Sequence, residues 1–125
     1  MTTFIRIEHP ETKRGIWRHN QCSVVDSMEN ANDFIDRHFK FKSLQKELLE
    51  HPFALNFCDA IEYFCGFKTV EQFQQWIFQS EISHFVENGF RIYKITAEKC
   101  LIGEDQVFFK PSEVTSKVDI TDIFI

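Results

Sequence analysis

Apolar and polar residues alternate from Thr3 to His9. Ile5 and Ile7 fall on one face, Arg6 and Glu8 on the other, and this period of two predicts a strand. Pro10 ends it, and residues 11–15 turn. Residues 16–25 follow neither period. Asp26 and Glu29 stand at capping-box spacing, with Asp in place of the usual Ser or Thr. They predict a helix through Phe39 whose apolar face carries Phe34, Ile35 and Phe39. Leu44, Leu48 and Leu49 line up as a second short helix over 43–50, closed by His51-Pro52.

The second half is punctuated more cleanly. After an irregular apolar stretch with one short strand over 63–67, Thr69 and Gln72 form a capping box, and Val70, Phe73, Trp76 and Ile77 recur at helical spacing. Ser80 is the expected cap of the next helix, with Ile82, Phe85 and Val86 inward, and Asn88-Gly89 is its left-handed stop. Strands are predicted at 90–96, 100–102 and 106–109, with a tight turn at Gly103-Glu104-Asp105 and Lys110-Pro111 closing the last. A helical turn over 112–116 and a final strand through Val118, Ile120 and Ile123 complete the reading. The result is an α+β single domain: a mostly antiparallel sheet of about four to six strands covered by short amphipathic helices.

Composition narrows the functions. At 125 residues the chain fits one domain. Fifteen of its nineteen aromatics are Phe, which brings apolar area without a polar handle and suits a core or a partner surface. A net charge of −5 disfavours direct binding to nucleic acid. The local basic run of Lys13, Arg14, Arg18 and His19 reads as a solvated turn, and Asp26, Glu29, Asp33 and Asp36 are too loosely spread to mimic a nucleic acid. The four cysteines, Cys22, Cys58, Cys65 and Cys100, lack metal or redox spacing and are expected to be buried and reduced. No stretch resembles a signal peptide or a membrane span, so a cytosolic location is expected.

Candidate chemistry is sparse. His9, His19, His38, His51 and His84 show no ligand or triad spacing, so no metal is expected. Glu8 and His9 adjoin on a strand, where neighbours point to opposite faces, so they are expected not to meet and Glu8 is expected to be solvated. Phe39, Phe41 and Phe53 have no obvious cover and are candidates for a partner surface. These features favour an interaction protein that modulates a host or viral protein by occlusion, with no cofactor. Homodimerisation through the helix at 70–78 or an edge strand is compatible with it.

Two resemblances add to this. Phe4-Ile5-Arg6-Ile7-Glu8-His9, the run from Gly66 through Phe73 followed by Trp76-Ile77, Gly89-Phe90-Arg91-Ile92-Tyr93 and Gln106-Val107-Phe108-Phe109 resemble a group of small uncharacterised proteins of bacteriophages and prophages. That resemblance covers about half of the chain and implies a phage accessory role, a class to which anti-defence proteins belong. A fainter one is to ADP-ribosyltransferase-like folds. It implies NAD or ADP-ribose binding through Arg6 or His9 and Tyr63 or Tyr93, with Gln106 where that family carries its catalytic Glu. Gln cannot supply the charge that stabilises an oxocarbenium-like transition state, so catalysis would fall to Glu104, and the fold would otherwise be catalytically degenerate.

Overall fold

The structure, a computed structural model, describes residues 1–15, 23–39, 63–103 and 106–125. Within them the order is β1 (Thr2–Glu8), α1 (Ser23–Asp26), α2 (Ala31–Phe39), β2 (Phe64–Gly66), α3 (Val70–Trp76), α4 (Gln79–Glu87), β3 (Arg91–Ala97), β4 (Leu101–Ile102), β5 (Val107–Phe109) and β6 (Val114–Asp119). Single 3-10 turns at Pro111–Glu113 and Thr121–Ile123 flank β6. The α+β class holds, with the strands divided between two antiparallel sheets ordered β1-β3-β6 and β2-β5-β4.

The first sheet has a layer on each side. Antiparallel register places Phe4 opposite Ile95 and Arg6 opposite Tyr93 on one face, and Ile7 opposite Ile92 on the other. The face with Ile5, Ile7 and Ile92 packs on Val25, Met28, Phe34, Phe73, Ile77, Ile82 and Phe85 from the helices and the turns that follow them. The face with Phe4, Ile95 and Ala97 packs on Val107 and Phe109 of the second sheet. Burial on both faces is why β1 is buried at every position from Phe4 to Glu8. The alternation had implied one wet face, and Glu8 was expected in solvent; it is instead 3% exposed.

The sheets join at one point. The Ile5 N–H donates to Phe67 O at 2.8 Å and the Phe67 N–H to Ile5 O at 2.7 Å. The backbones approach so closely that a Cβ on Gly66 would lie 2.4 Å from the Phe4 ring and 2.8 Å from Ile5 O. Only glycine fits there.

Local punctuation explains the helices, with corrections. The Thr69 hydroxyl accepts from Gln72 N at 3.1 Å, while Gln72 Oε1 accepts from Lys68 N at 2.7 Å, so the capping exchange reaches one residue beyond Thr69. Gly89 has φ +94° and terminates α4 as expected. Ser80 does not cap α4: Phe78 is the N-cap residue, and the Glu81 carboxylate accepts from its N–H at 2.7 Å. The helix expected to open at Asp26 starts instead at Ala31: Asp26 is the last residue of α1, and between the two Met28 turns into the core and Asn30 Nδ2 donates to Glu81 Oε2 at 2.7 Å. The last strand lies earlier than expected. It ends at Asp119, whose Oδ1 accepts from Thr121 N and from the Thr121 hydroxyl, turning the chain so that Ile120 and Ile123 leave the strand. The helix expected over 43–50 lies outside the described residues.

Candidate functional site

Polar side chains gather where the two sheets meet beyond the apolar core between them. β1 places Arg6 and Glu8 on the face that meets the second sheet. Arg6 donates through Nε to Glu8 Oε1 at 3.1 Å, through Nη1 to Cys65 O and through Nη2 to Lys13 O at 3.1 Å. Its guanidinium lies 4.9 Å from the Phe64 ring centroid and 5.6 Å from that of Phe109, within range of cation–π attraction. The second carboxylate oxygen of Glu8 accepts from Lys117 Nζ at 2.7 Å, and that ammonium sits 4.4 Å from the Tyr93 ring centroid. A carboxylate this buried is stable as an anion only with such partners.

A cleft of about 310 Å³ opens on this cluster, lined by Glu8, Lys13, Phe64, Ile95, Phe109, Pro111, Val114 and Lys117. Its walls are mainly apolar, with one acid facing two lysines, and Arg6 stands behind the acid. Lys13 has φ 62°, a left-handed conformation uncommon for a residue with a Cβ. It is held by its own N–H, which donates to His9 O at 2.8 Å, and by Arg6. Burial first, then the Asp119 and Glu8 carboxylates, hold the Tyr93 phenol above its usual pKa, so it stays protonated at neutral pH. With Glu8 doubly paired and Tyr93 protonated, the arrangement suits binding rather than proton abstraction.

The residues singled out from sequence are dispersed. His9 lies on the opposite face of β1 from Arg6, edge-on to Phe90 at 5.6 Å, with Nδ1 accepting from Glu11 N at 3.2 Å. It does not meet Glu8. Tyr63 lies beneath the Lys110 ammonium at 5.3 Å. Gln106 is 4% exposed, precedes β5, and accepts through its backbone carbonyl from Gly103 N at 2.8 Å. Tyr93 is the cross-strand neighbour of Arg6, so the strand register brings these two NAD candidates side by side. Glu104, Phe41, Phe53 and the side chain of Phe39 lie outside the described residues.

Sequence reasoning missed Phe64 and Phe109 as partners of Arg6 and Lys117 as the partner of Glu8, because their convergence depends on a strand pairing that no local pattern announces. Cys65 and Cys100 are in no disulfide and are half-buried rather than fully buried, and burial pushes the Cys100 thiol up in pKa. Among the described residues no cluster of His, Cys, Asp and Glu could hold a metal, and no helix is long and apolar enough to cross a membrane.

Among protein families, residues 1–123 match the family described as Bacteriophage T4 Y00F protein. No curated protein and no solved structure matches the chain. Among the described residues the family match takes in both sheets, the four helices and every residue of the cleft. On that extent, the chain belongs to the Bacteriophage T4 Y00F protein family and is a small phage protein.

Proposed function

We propose that this protein is a phage accessory factor that binds a host or viral protein in the host cytosol and modulates it by occlusion. Inhibition of a host defence protein is one form this would take. The observation that carries the reading is a set of solvent-exposed apolar side chains at the start of α4 and the turn tied to it. Phe78, Ile123 and Ile125 are 45%, 75% and 64% exposed. The Gln79 side-chain amide donates to Phe124 O, tying the start of α4 to the turn that carries the two isoleucines. An aromatic and two branched aliphatics grouped in this way are the usual centre of a protein contact.

Immobilised wild-type protein and a Phe78→Ser/Ile123→Ser variant, matched for unfolding midpoint, would be exposed to lysates of infected and uninfected bacteria. A protein retained at stoichiometric level by the wild type and lost by the variant supports the reading. Identical retention by both, or no stoichiometric partner, removes it. A rise in melting temperature with NAD or ADP-ribose, abolished by Arg6→Ala, would favour the dinucleotide alternative instead.

A further inference from the structure

We propose that the cleft between the sheets is a binding site for a small molecule with a ring-sized apolar body and a single carboxylate. The site shares no residue with the exposed surface around Phe78 and stands independently of the proposed protein partner.

Size and lining set the body of the ligand. A cavity of about 150 Å³ accommodates benzene, so 310 Å³ takes one ring and a short chain. Phe64, Ile95, Phe109, Pro111 and Val114 give that ring apolar walls, as is usual for small-molecule sites.

Charge sets its polar end. Inside the cluster one carboxylate, Glu8, meets two cations, Arg6 and Lys117, which leaves one positive charge in excess. Lys13 adds a second. Its exposed ammonium has no hydrogen-bond or ion-pair partner among the described residues. Its backbone is fixed by the His9 and Arg6 hydrogen bonds, so the lysine is anchored at the cleft in a conformation that costs stability. On a protein of net charge −5 this is a local positive spot walled by apolar groups, where an anion is drawn in and a cation repelled. One carboxylate rather than a phosphate is favoured, because Glu8 itself lines the site and would oppose a dianion.

The test uses 3-phenylpropanoate, 3-phenylpropanamide and phenethylamine, titrated into the full chain with binding followed by NMR shifts. A probe this small is expected to bind at about millimolar Kd. The carboxylate should bind about tenfold more tightly than the amide, a difference of ~1.4 kcal/mol, and the amine should not bind. Shifts should concentrate on Phe64, Phe109 and Val114. Lys13→Gly is the decisive variant, since glycine adopts φ 62° without strain and the fold is retained while the ammonium is lost. Carboxylate preference should vanish in Lys13→Gly and survive in Lys13→Arg. Equal binding of acid and amide, shifts dispersed away from the cleft, an unchanged preference in Lys13→Gly, or no saturable binding would each overturn the proposal.

Discussion

Arg6 offers the sharpest test of how the sheets are held together. Its side chain is 6% exposed, and it binds a carboxylate that is 4% exposed and two backbone carbonyls that belong to different segments. Arg6→Met keeps most of the apolar stem against Phe64 and Phe109 but strips all three hydrogen bonds. Removing one partner of a buried ion pair costs about 3–5 kcal/mol, chiefly through the uncompensated charge left behind. Here Lys117 still holds Glu8 at 2.7 Å, so the lower end applies, about 3 kcal/mol against a total stability of roughly 5–15 kcal/mol. Glu8→Leu alone should cost a similar amount, because it leaves the buried Arg6 charge with two backbone carbonyls and no counter-ion. The double variant Arg6→Met/Glu8→Leu should recover most of the loss, since an apolar pair replaces an ionic one and Lys117, 29% exposed, turns to water. Urea unfolding of the four proteins gives the coupling, expected at about 2–3 kcal/mol. A loss below about 1 kcal/mol for Arg6→Met, or additive losses in the double variant, would refute the view that this pair is buried and interdependent.

Other expectations follow from single contacts. Gly66→Ala drives a methyl into the Phe4 ring and Ile5 O, and should lower stability by at least the ~1–3 kcal/mol typical of overpacking, read as a fall in unfolding midpoint. Gly89→Ala meets both a φ of +94° and the His9 ring at 2.9 Å; a loss of about 1–2 kcal/mol is expected, and His9→Ala should relieve part of it. Burial pushes the Asp119 carboxyl up, but hydrogen bonds from Arg91 and from the Thr121 hydroxyl and N–H, with the Arg91 charge, outweigh it and bring its pKa to about 2. A depressed folded pKa means stability that is present above pH 4 and lost as pH falls towards 2. Because the Asp119 side chain is 39% exposed, solvent screening limits the effect to about 1 kcal/mol or less. Asp119→Asn should flatten that part of the stability–pH curve, and an unchanged slope between pH 4 and 2 would count against the pairing. Thr121→Val removes a fully buried hydroxyl that accepts from Ile92 N at 2.9 Å. It should cost about 1–3 kcal/mol, seen as early hydrogen exchange at Ile92.

Local signals were read well where they were self-sufficient. The Thr69 cap, the Asn88-Gly89 stop and the alternation of β1 each depend on a few adjacent residues, and each appears in the structure close to its expected place. What failed was decided at long range. Glu81 accepts from Phe78 N on its own helix and from Asn30 across 51 residues, and the second contact ties down the turn before α2, where the sequence presents helix from Asp26. Arg6 and Glu8 looked like a wet strand face because the covering sheet is built from β2, β4 and β5, two to three residues each. Strands that short carry almost no periodic signal. The same gap hid the cleft: Arg6 was singled out for its residue type, but Lys117 lies 109 residues from its partner Glu8.

That separation also has a meaning for synthesis. β1 leaves the ribosome well before its partner β3, with Thr2 opposite Ala97 and Glu8 opposite Arg91. At about 5–20 residues per second, β1 waits on the order of 5–20 s for its neighbour. During that interval Phe4, Ile5 and Ile7 form an apolar segment of high strand propensity with no sheet to join. Arg6 and Glu8, interleaved among them, keep the nascent segment charged and unattractive to other chains. The residues that lock the two sheets in the finished protein thus also guard its first strand while the rest is still being made.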